Sequence, residues 1–305
     1  MPIRGLALAL CAPFALASAA FAQDAEEDAP PAAFPETEIF LFDYDAAAQD
    51  NALWDGRNVT ARAGYDNQPY FTKDSATFLY SRDDGTQTDI WEYDLASDTH
   101  AQITRTPESE FSPTPSPDNR TIMMVFERNN SIWHIDRNLP DVPQWSLEAA
   151  GVTEPVGYFA HNFATGDLLY WSRYGFNVAL THADKPAYHF ISGHAVPATP
   201  HVIPGSNEIS FVHRQTNEQV WIKAFDPKTK AIRPLTPIVG TNANYTWAPD
   251  GAILQIEDGK VHRWREGGEG WEVIGDLADH GIESANRIAV SPDGKRIAVV
   301  GLPVG

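Results

Sequence analysis

Short runs of alternating apolar and polar residues follow one another along most of the chain, and clusters of Gly, Pro, Asp and Asn separate them. The residues in these runs are mainly β-branched or aromatic, which is typical of β-strands. No long stretch repeats its apolar residues at the three- and four-residue spacing of an amphipathic helix. The pattern therefore predicts an all-β protein.

A turn followed by a β-rich run recurs at nearly even intervals. Three copies contain a Pro-Asp pair, and they begin at residues 116, 248 and 291. Three weaker copies begin at residues 72, 164 and 203. The third residues of the six copies are 39 to 48 residues apart, and they are Asp74, Asp118, Gly166, Gly205, Asp250 and Asp293. Such a period predicts one structural unit repeated six times.

Each repeat contains enough β-rich segments for four antiparallel strands, which is the content of a β-propeller blade. The sixth repeat ends soon after its second strand, and its missing strands match residues 38–43 and 58–60 near the other end. Residues 38–302 then divide into six blades of about 44 residues. We predict a six-bladed β-propeller over residues 38–305. Strands from both termini close its last blade, with the segment around Phe40 beside the strand around Val299.

The aspartates of the repeated turns are expected to be structural. Asp accepts hydrogen bonds from backbone amides in a turn, and Pro presets the backbone before it. Asp74, Asp118, Asp250 and Asp293 recur at equivalent turns of most repeats, which favours a structural role, because a catalytic role needs groups that converge at one point.

The N-terminal residues have the features of a secretory signal peptide, which we place at residues 1–22. A positive start at Arg4 precedes an apolar run, and Ala20 and Ala22 provide the small residues of a cleavage site. Residues 23–37 are acidic and rich in Ala and Pro, and we predict a flexible leader there. The only cysteine, Cys11, lies in the signal, so the mature chain has no disulfide. A periplasmic protein is predicted.

The charge of the chain argues against two classes of function. With 22 basic and 41 acidic side chains the net charge is −19, which disfavours binding to nucleic acid and to anionic lipid. No further apolar run has the length of a membrane span. If the fold is a ring, acidic groups on its rim loops would form an acidic funnel, which would favour a basic or helical peptide or a cation.

The repeat motifs resemble a known family. The Pro-Asp-Gly turns, the Ile-Trp-x-x-Asp strand and the trailing Ile-Thr or Leu-Thr pair are similar to the propeller repeat of the TolB family of periplasmic proteins. The resemblance covers about residues 38–302, although the third and fourth repeats lack the Pro-Asp pair. It implies a six-bladed propeller and protein–protein binding at the cell envelope.

The rim loops of such a ring supply the candidate binding residues, because a rigid scaffold holds them in place. We predict that a protein or peptide partner contacts eight of them, namely Tyr65, Asp66, Glu108, Glu110, Asn242, Asn244, His280 and Glu283. A monomer that needs no cofactor is expected.

An alternative function follows from the histidines. Six of the ten fall within residues 161–213, and three of them lie on or near predicted first strands, namely His161, His194 and His201. Together they would bind a divalent metal ion for a metal-assisted hydrolase, lactonase or lyase. Their spacing matches no compact ligand motif, and the chain has no Gly-x-Ser-x-Gly nucleophile elbow. The sequence therefore favours the non-catalytic, partner-binding function.

Overall fold

The structure, a computed structural model, describes residues 34–305, so the predicted signal peptide and most of the predicted leader lie outside the described residues. The 24 strands of this range form six four-stranded antiparallel sheets. These sheets are the blades of a propeller, which confirms the predicted fold class. A 3-10 turn lies at Ala278–His280. No helix within residues 34–305 has the length and hydrophobicity needed to cross a bilayer.

Blades 1 to 3 each contain four consecutive strands, the first of which is the innermost. Blade 1 contains β3 (Asp66–Phe71), β4 (Thr77–Asp83), β5 (Thr88–Asp94) and β6 (Thr99–Gln102). Blade 2 contains β7 (Glu110–Pro115), β8 (Thr121–Phe126), β9 (Ser131–Asp136) and β10 (Pro143–Ser146). Blade 3 contains β11 (Val156–Asn162), β12 (Asp167–Ser172), β13 (Asn177–His182) and β14 (His189–Ser192).

Blades 4 and 5 follow the same order. Blade 4 contains β15 (His201–Val202), β16 (Ile209–Arg214), β17 (Val220–Phe225) and β18 (Ile232–Pro237). Blade 5 contains β19 (Tyr245–Trp247), β20 (Ile253–Glu257), β21 (Lys260–Trp264) and β22 (Trp271–Asp276).

Blade 6 combines strands from both ends of the described chain. From the inside outwards it contains β23 (Ile282–Val290), β24 (Arg296–Pro303), β1 (Glu38–Tyr44) and β2 (Leu53–Asn58). In the β1–β24 pair, Phe40 lies opposite Val299 and Ile39 opposite Val300. The predicted closure is therefore confirmed, and the pairing removes the sheet edge that an open ring would leave.

The apolar core is divided among the six interfaces between neighbouring blades. In β24, Ile297 and Val299 pack against blade 5, whereas Ala298 and Val300 pack against blade 1. Because successive side chains of a strand point to opposite faces, a strand with a neighbour on both sides is apolar throughout. Each blade therefore depends on both of its neighbours for burial.

The repeated aspartates have the predicted structural role. Each accepts a hydrogen bond from the backbone amide two residues further on, at 3.0 to 3.2 Å, in the turns of Asp74, Asp118, Asp250 and Asp293. The hydroxyls of Thr72 and Ser116 also donate to Asp74 and Asp118, and these bonds lower the pKa of both carboxyls.

Candidate functional site

A cavity of about 480 Å³ lies on the axis of the ring and is lined by residues of all six first strands or the loops that flank them. Each first strand is the inner edge of its sheet, so its outer backbone groups are already paired and its inner ones face the cavity. The cavity thus offers both side chains and backbone hydrogen-bonding groups.

The register of the turns identifies equivalent positions around this channel. In every blade a residue at the end of the first strand or directly after it accepts a backbone hydrogen bond from the residue three positions later, at 2.8 to 3.2 Å. These turn-opening residues are Thr72, Ser116, Asn162, Ile203, Ala248 and Ser291. The third turn therefore opens at Asn162, and the counterpart of the turn aspartate there is Ala164, two residues before the Gly166 that the sequence pattern suggested.

Four residues before each opening residue, every blade carries a polar side chain. We call this set the polar ring, and its members are Gln68, Ser112, Tyr158, Thr199, Asn244 and Arg287. All but Tyr158 line the cavity directly. Five of the six blades therefore place a polar side chain of this set on the wall of the channel.

Two members of the polar ring are held by hydrogen bonds within the protein. The amide oxygen of Gln68 accepts from the Ser112 backbone N–H at 2.7 Å, which joins blades 1 and 2. The Asn244 amide donates to the Asn286 carbonyl at 3.1 Å, which joins blades 5 and 6. Both Gln68 and Ser112 have a positive φ, close to 60°, so their strands bulge where they meet the channel.

Arg287 reaches across the channel from blade 6. Its Cζ lies 5.4 Å from the centre of the Tyr158 ring in blade 3, which is the blade opposite, and its Nη1 lies 3.5 Å from Thr199 Oγ1 in blade 4. No carboxylate within residues 34–305 forms a salt bridge with it. The guanidinium therefore lies near the axis with its charge uncompensated by an ion pair.

Two of the three predicted metal-binding histidines line the cavity. Both ring nitrogens of His161 and Nε2 of His201 are buried without a hydrogen-bond partner in the described chain. Burial lowers the pKa of each imidazole to about 4, so both are neutral at neutral pH. His194 lies apart from the cavity, exposed in the loop before β15. Residues 34–305 contain no group of three or more His, Cys, Asp or Glu side chains arranged to hold a metal ion.

The expectation of an acidic funnel is not met inside the channel. The cavity lining contains Lys73 and Arg287 but no Asp or Glu side chain. Two of the predicted rim carboxylates, Asp66 and Glu110, are fully buried at the starts of β3 and β7. The channel is therefore a locally basic and aromatic site in an acidic protein.

The predicted rim residues of blades 1 and 2 mostly make internal contacts. Asp66 forms a salt bridge with Arg62 at 2.9 Å, and Glu108 forms one with Arg128 at 3.1 Å. Tyr65 is buried, and its ring packs 5.0 Å from that of Phe34. Phe34 also contacts Phe111, at 5.4 Å, so these three rings form an aromatic cluster where the first strands of blades 1 and 2 begin.

The remaining predicted residues lie near the starts of the first strands of blades 5 and 6. Asn242 donates to the carbonyls of Ile256 and Asn286 at 2.8 and 2.9 Å, and Asn244 belongs to the polar ring. His280 is exposed and stands edge-on to Phe42 at 4.9 Å, while Glu283 is exposed on β23. Their roles in binding stay predictions, since none of these contacts involves a partner.

Sequence reasoning missed Arg287, Ser112 and Tyr158, although a signal for two of them is present. Counting back six residues from Asp118 and Asp293 gives Ser112 and Arg287. In blade 3 the true counterpart of the turn aspartate is Ala164, so the same count from Gly166 gives Ala160 and misses Tyr158.

Comparison with known proteins confirms the resemblance at the level of the fold. No family model and no curated protein matches the chain. Among solved structures it is similar to TolB from Acinetobacter baumannii, with 14% identity and a TM-score of 0.55 over 90% of this chain. This chain spans 65% of that TolB chain. It is also similar to a protein assigned as TolB from Agrobacterium tumefaciens, with 14% identity and a TM-score of 0.66, covering 88% of this chain and 99% of the other.

Two oligogalacturonate lyases share the same fold. One structure is in complex with manganese, with 12% identity and a TM-score of 0.52. The other is from Vibrio parahaemolyticus, with 10% identity and a TM-score of 0.54. Both matches cover 81% of this chain and 80% of the lyase. At these identities the likeness shows the fold alone.

Proposed function

We propose that this chain is a secreted, periplasmic β-propeller that binds a protein or peptide partner at one mouth of its channel and catalyses no reaction. The partner segment that enters the channel is acidic. One observation carries this proposal: the lining of the axial cavity contains Lys73 and Arg287 and no carboxylate. A locally positive cavity attracts acidic groups even when the whole protein is negative.

The geometry of the channel supports an extended peptide as the occupant. The unpaired edges of the first strands offer backbone donors and acceptors, which are the groups that an extended chain uses when it binds a sheet edge. Phe34 lies on Tyr65 and Phe111 and is 41% exposed, so the partner meets apolar surface beside the channel. Aromatic side chains of this kind are common at binding interfaces.

Secretion and the envelope location rest on the sequence. Residues 1–22 have the pattern of a signal peptide, and the repeats resemble the TolB family, which implies protein–protein binding at the cell envelope. The fold shared with two TolB structures supports the same location.

Peptides of defined charge test the proposal. We expect an end-blocked hexaglutamate peptide to bind saturably at about 0.15 M salt, where charges more than about 8 Å apart are largely screened. End-blocked hexaglutamine and hexalysine are the matched controls, and isothermal titration calorimetry is the measurement. The net charge of −19 alone would favour hexalysine, so a preference for hexalysine would contradict the proposal.

A second candidate, a metal-assisted hydrolase, lactonase or lyase, is favoured by the shared fold of the manganese-bound lyase. His161 and His201 supply imidazoles to the channel, but its lining lacks the carboxylates that would complete a ligand set. The described residues therefore do not fit a divalent ion, and we derive no catalytic step. Metal analysis of protein purified without chelators separates the two candidates, because the enzyme requires about one bound ion per chain.

A further inference from the structure

Several polar atoms of the channel are left without hydrogen-bond partners in the described chain. They include Arg287 Nε, Ser112 Oγ and His201 Nε2, and all three residues line the same cavity. Buried polar groups in folded proteins almost always have partners, so each exception needs an explanation. Three exceptions from blades 6, 2 and 4 around one cavity point to a ligand group bound between them.

The charge of these groups indicates the charge of the ligand. Arg287 is permanently ionised, whereas burial keeps His161 and His201 neutral. Arg287 is the only charged member of the polar ring, and the cavity lining contains no carboxylate that could act as its counter-ion. A group with a single negative charge balances it.

The shape of the guanidinium favours a carboxylate over a phosphate as the bound anion. Arginine presents parallel N–H donors that match the two oxygens of a carboxylate. A phosphate carries more charge than one guanidinium neutralises, and Lys73 lies outside the polar ring, beside the opening residue Thr72 at the other end of the first strand.

We propose that Arg287 binds a carboxylate of the ligand on the channel axis, with Ser112 Oγ as a second donor. This rests on the proposed function, because it names the group by which the acidic partner is anchored. The carboxylate belongs to a Glu or Asp side chain of a peptide; a uronate sugar presents the same chemistry. Tyr158 and Thr199 hold the guanidinium near the axis, so the site is formed before the ligand enters.

Calorimetry with two acidic probes and matched variants tests this assignment. The probes are end-blocked hexaglutamate and trigalacturonate, with hexaglutamine and maltotriose as their uncharged counterparts. We expect Arg287→Gln to weaken binding of the acidic probe by about 30-fold or more, the usual effect of truncating one partner of a buried charge pair. Arg287→Lys keeps the charge but loses the paired donors, so its affinity should be intermediate. The control, Arg120→Gln, removes an exposed arginine outside the cavity and should change affinity less than twofold.

The outcomes separate this inference from the proposed function. If hexaglutamate binds equally to the native protein and to Arg287→Gln, the carboxylate site is wrong while partner binding stands. If only trigalacturonate binds, and only with Arg287 present, the carboxylate site stands and the peptide partner is wrong. If neither probe binds, both are overturned. Thermal melting checks that Arg287→Gln is folded, and if it is not, Arg287→Lys and Ser112→Ala decide, with at least a threefold loss expected for each.

Discussion

Replacing Phe42 by alanine is expected to lower the free energy of unfolding by about 3 to 5 kcal/mol, the usual effect of truncating a fully buried phenylalanine. Phe42 is 0% exposed in β1 and packs at the interface of blades 6 and 5. Its ring lies directly over Gly56 in β2, where a Cβ would be 2.4 Å from the ring. Because Gly56 has no side chain, it cannot fill the space that the ring vacates, and urea denaturation measures the loss.

The matched control is Phe190→Ala, because Phe190 is 59% exposed on the outer strand of blade 3. This substitution should change the free energy of unfolding by no more than about 0.5 kcal/mol. Equal effects of the two substitutions would show that β1 does not contribute to the core of blade 6.

Replacing Glu110 by glutamine is expected to remove much of the pH dependence of stability between about pH 5 and 8. Glu110 is fully buried, and burial raises the pKa of its carboxyl to about 8, despite hydroxyl donors from Thr104 and Thr106. The folded state thus keeps a proton that the unfolded state loses near pH 4.5. This stabilisation is complete below pH 4.5 and is lost as the pH rises towards 8.

The size of the effect follows from the two pKa values. A difference of 3.5 pH units corresponds to about 5 kcal/mol, at 1.36 kcal/mol per unit. Glu110→Gln should therefore be more stable than the native protein at pH 8 by several kcal/mol and differ little at pH 5. Urea denaturation across this range measures it, with the exposed Glu283→Gln as the control. A native-like pH slope in Glu110→Gln would assign the dependence to other groups, such as Asp66 and Asp89, whose pKa values burial also raises.

The architecture is predictable because the sequence pattern of one blade recurs six times. The turn aspartates, the period and the strand content are local features, and each copy supports the others. The closure was predictable because the last repeat lacks the strands that residues 38–43 and 58–60 supply. One local error remained, since the third repeat has no Pro-Asp pair and its turn opens at Asn162 instead.

The site was less predictable, because the charge of a loop residue does not show whether it faces solvent. The sequence predicts Asp66 and Glu110 as polar rim residues, yet both are fully buried. Acidic residues in the rim loops predict an acidic funnel, but the lining of the channel contains no Asp or Glu side chain. Arg287 matters because it crosses the axis to Tyr158, a contact that depends on the tertiary fold.

The resonance of the Arg287 side-chain Nε–H group provides the most direct test of ligand binding on the channel axis. In protein labelled with nitrogen-15, the Arg287→Lys variant assigns this signal by its loss, and hexaglutamate is then titrated into the native protein. Because Arg287 Nε has no partner among residues 34–305, its signal should shift progressively and reach a plateau as the carboxylate binds. If hexaglutamate binds and this signal stays in place while others move, the ligand lies elsewhere and the axial carboxylate site does not exist.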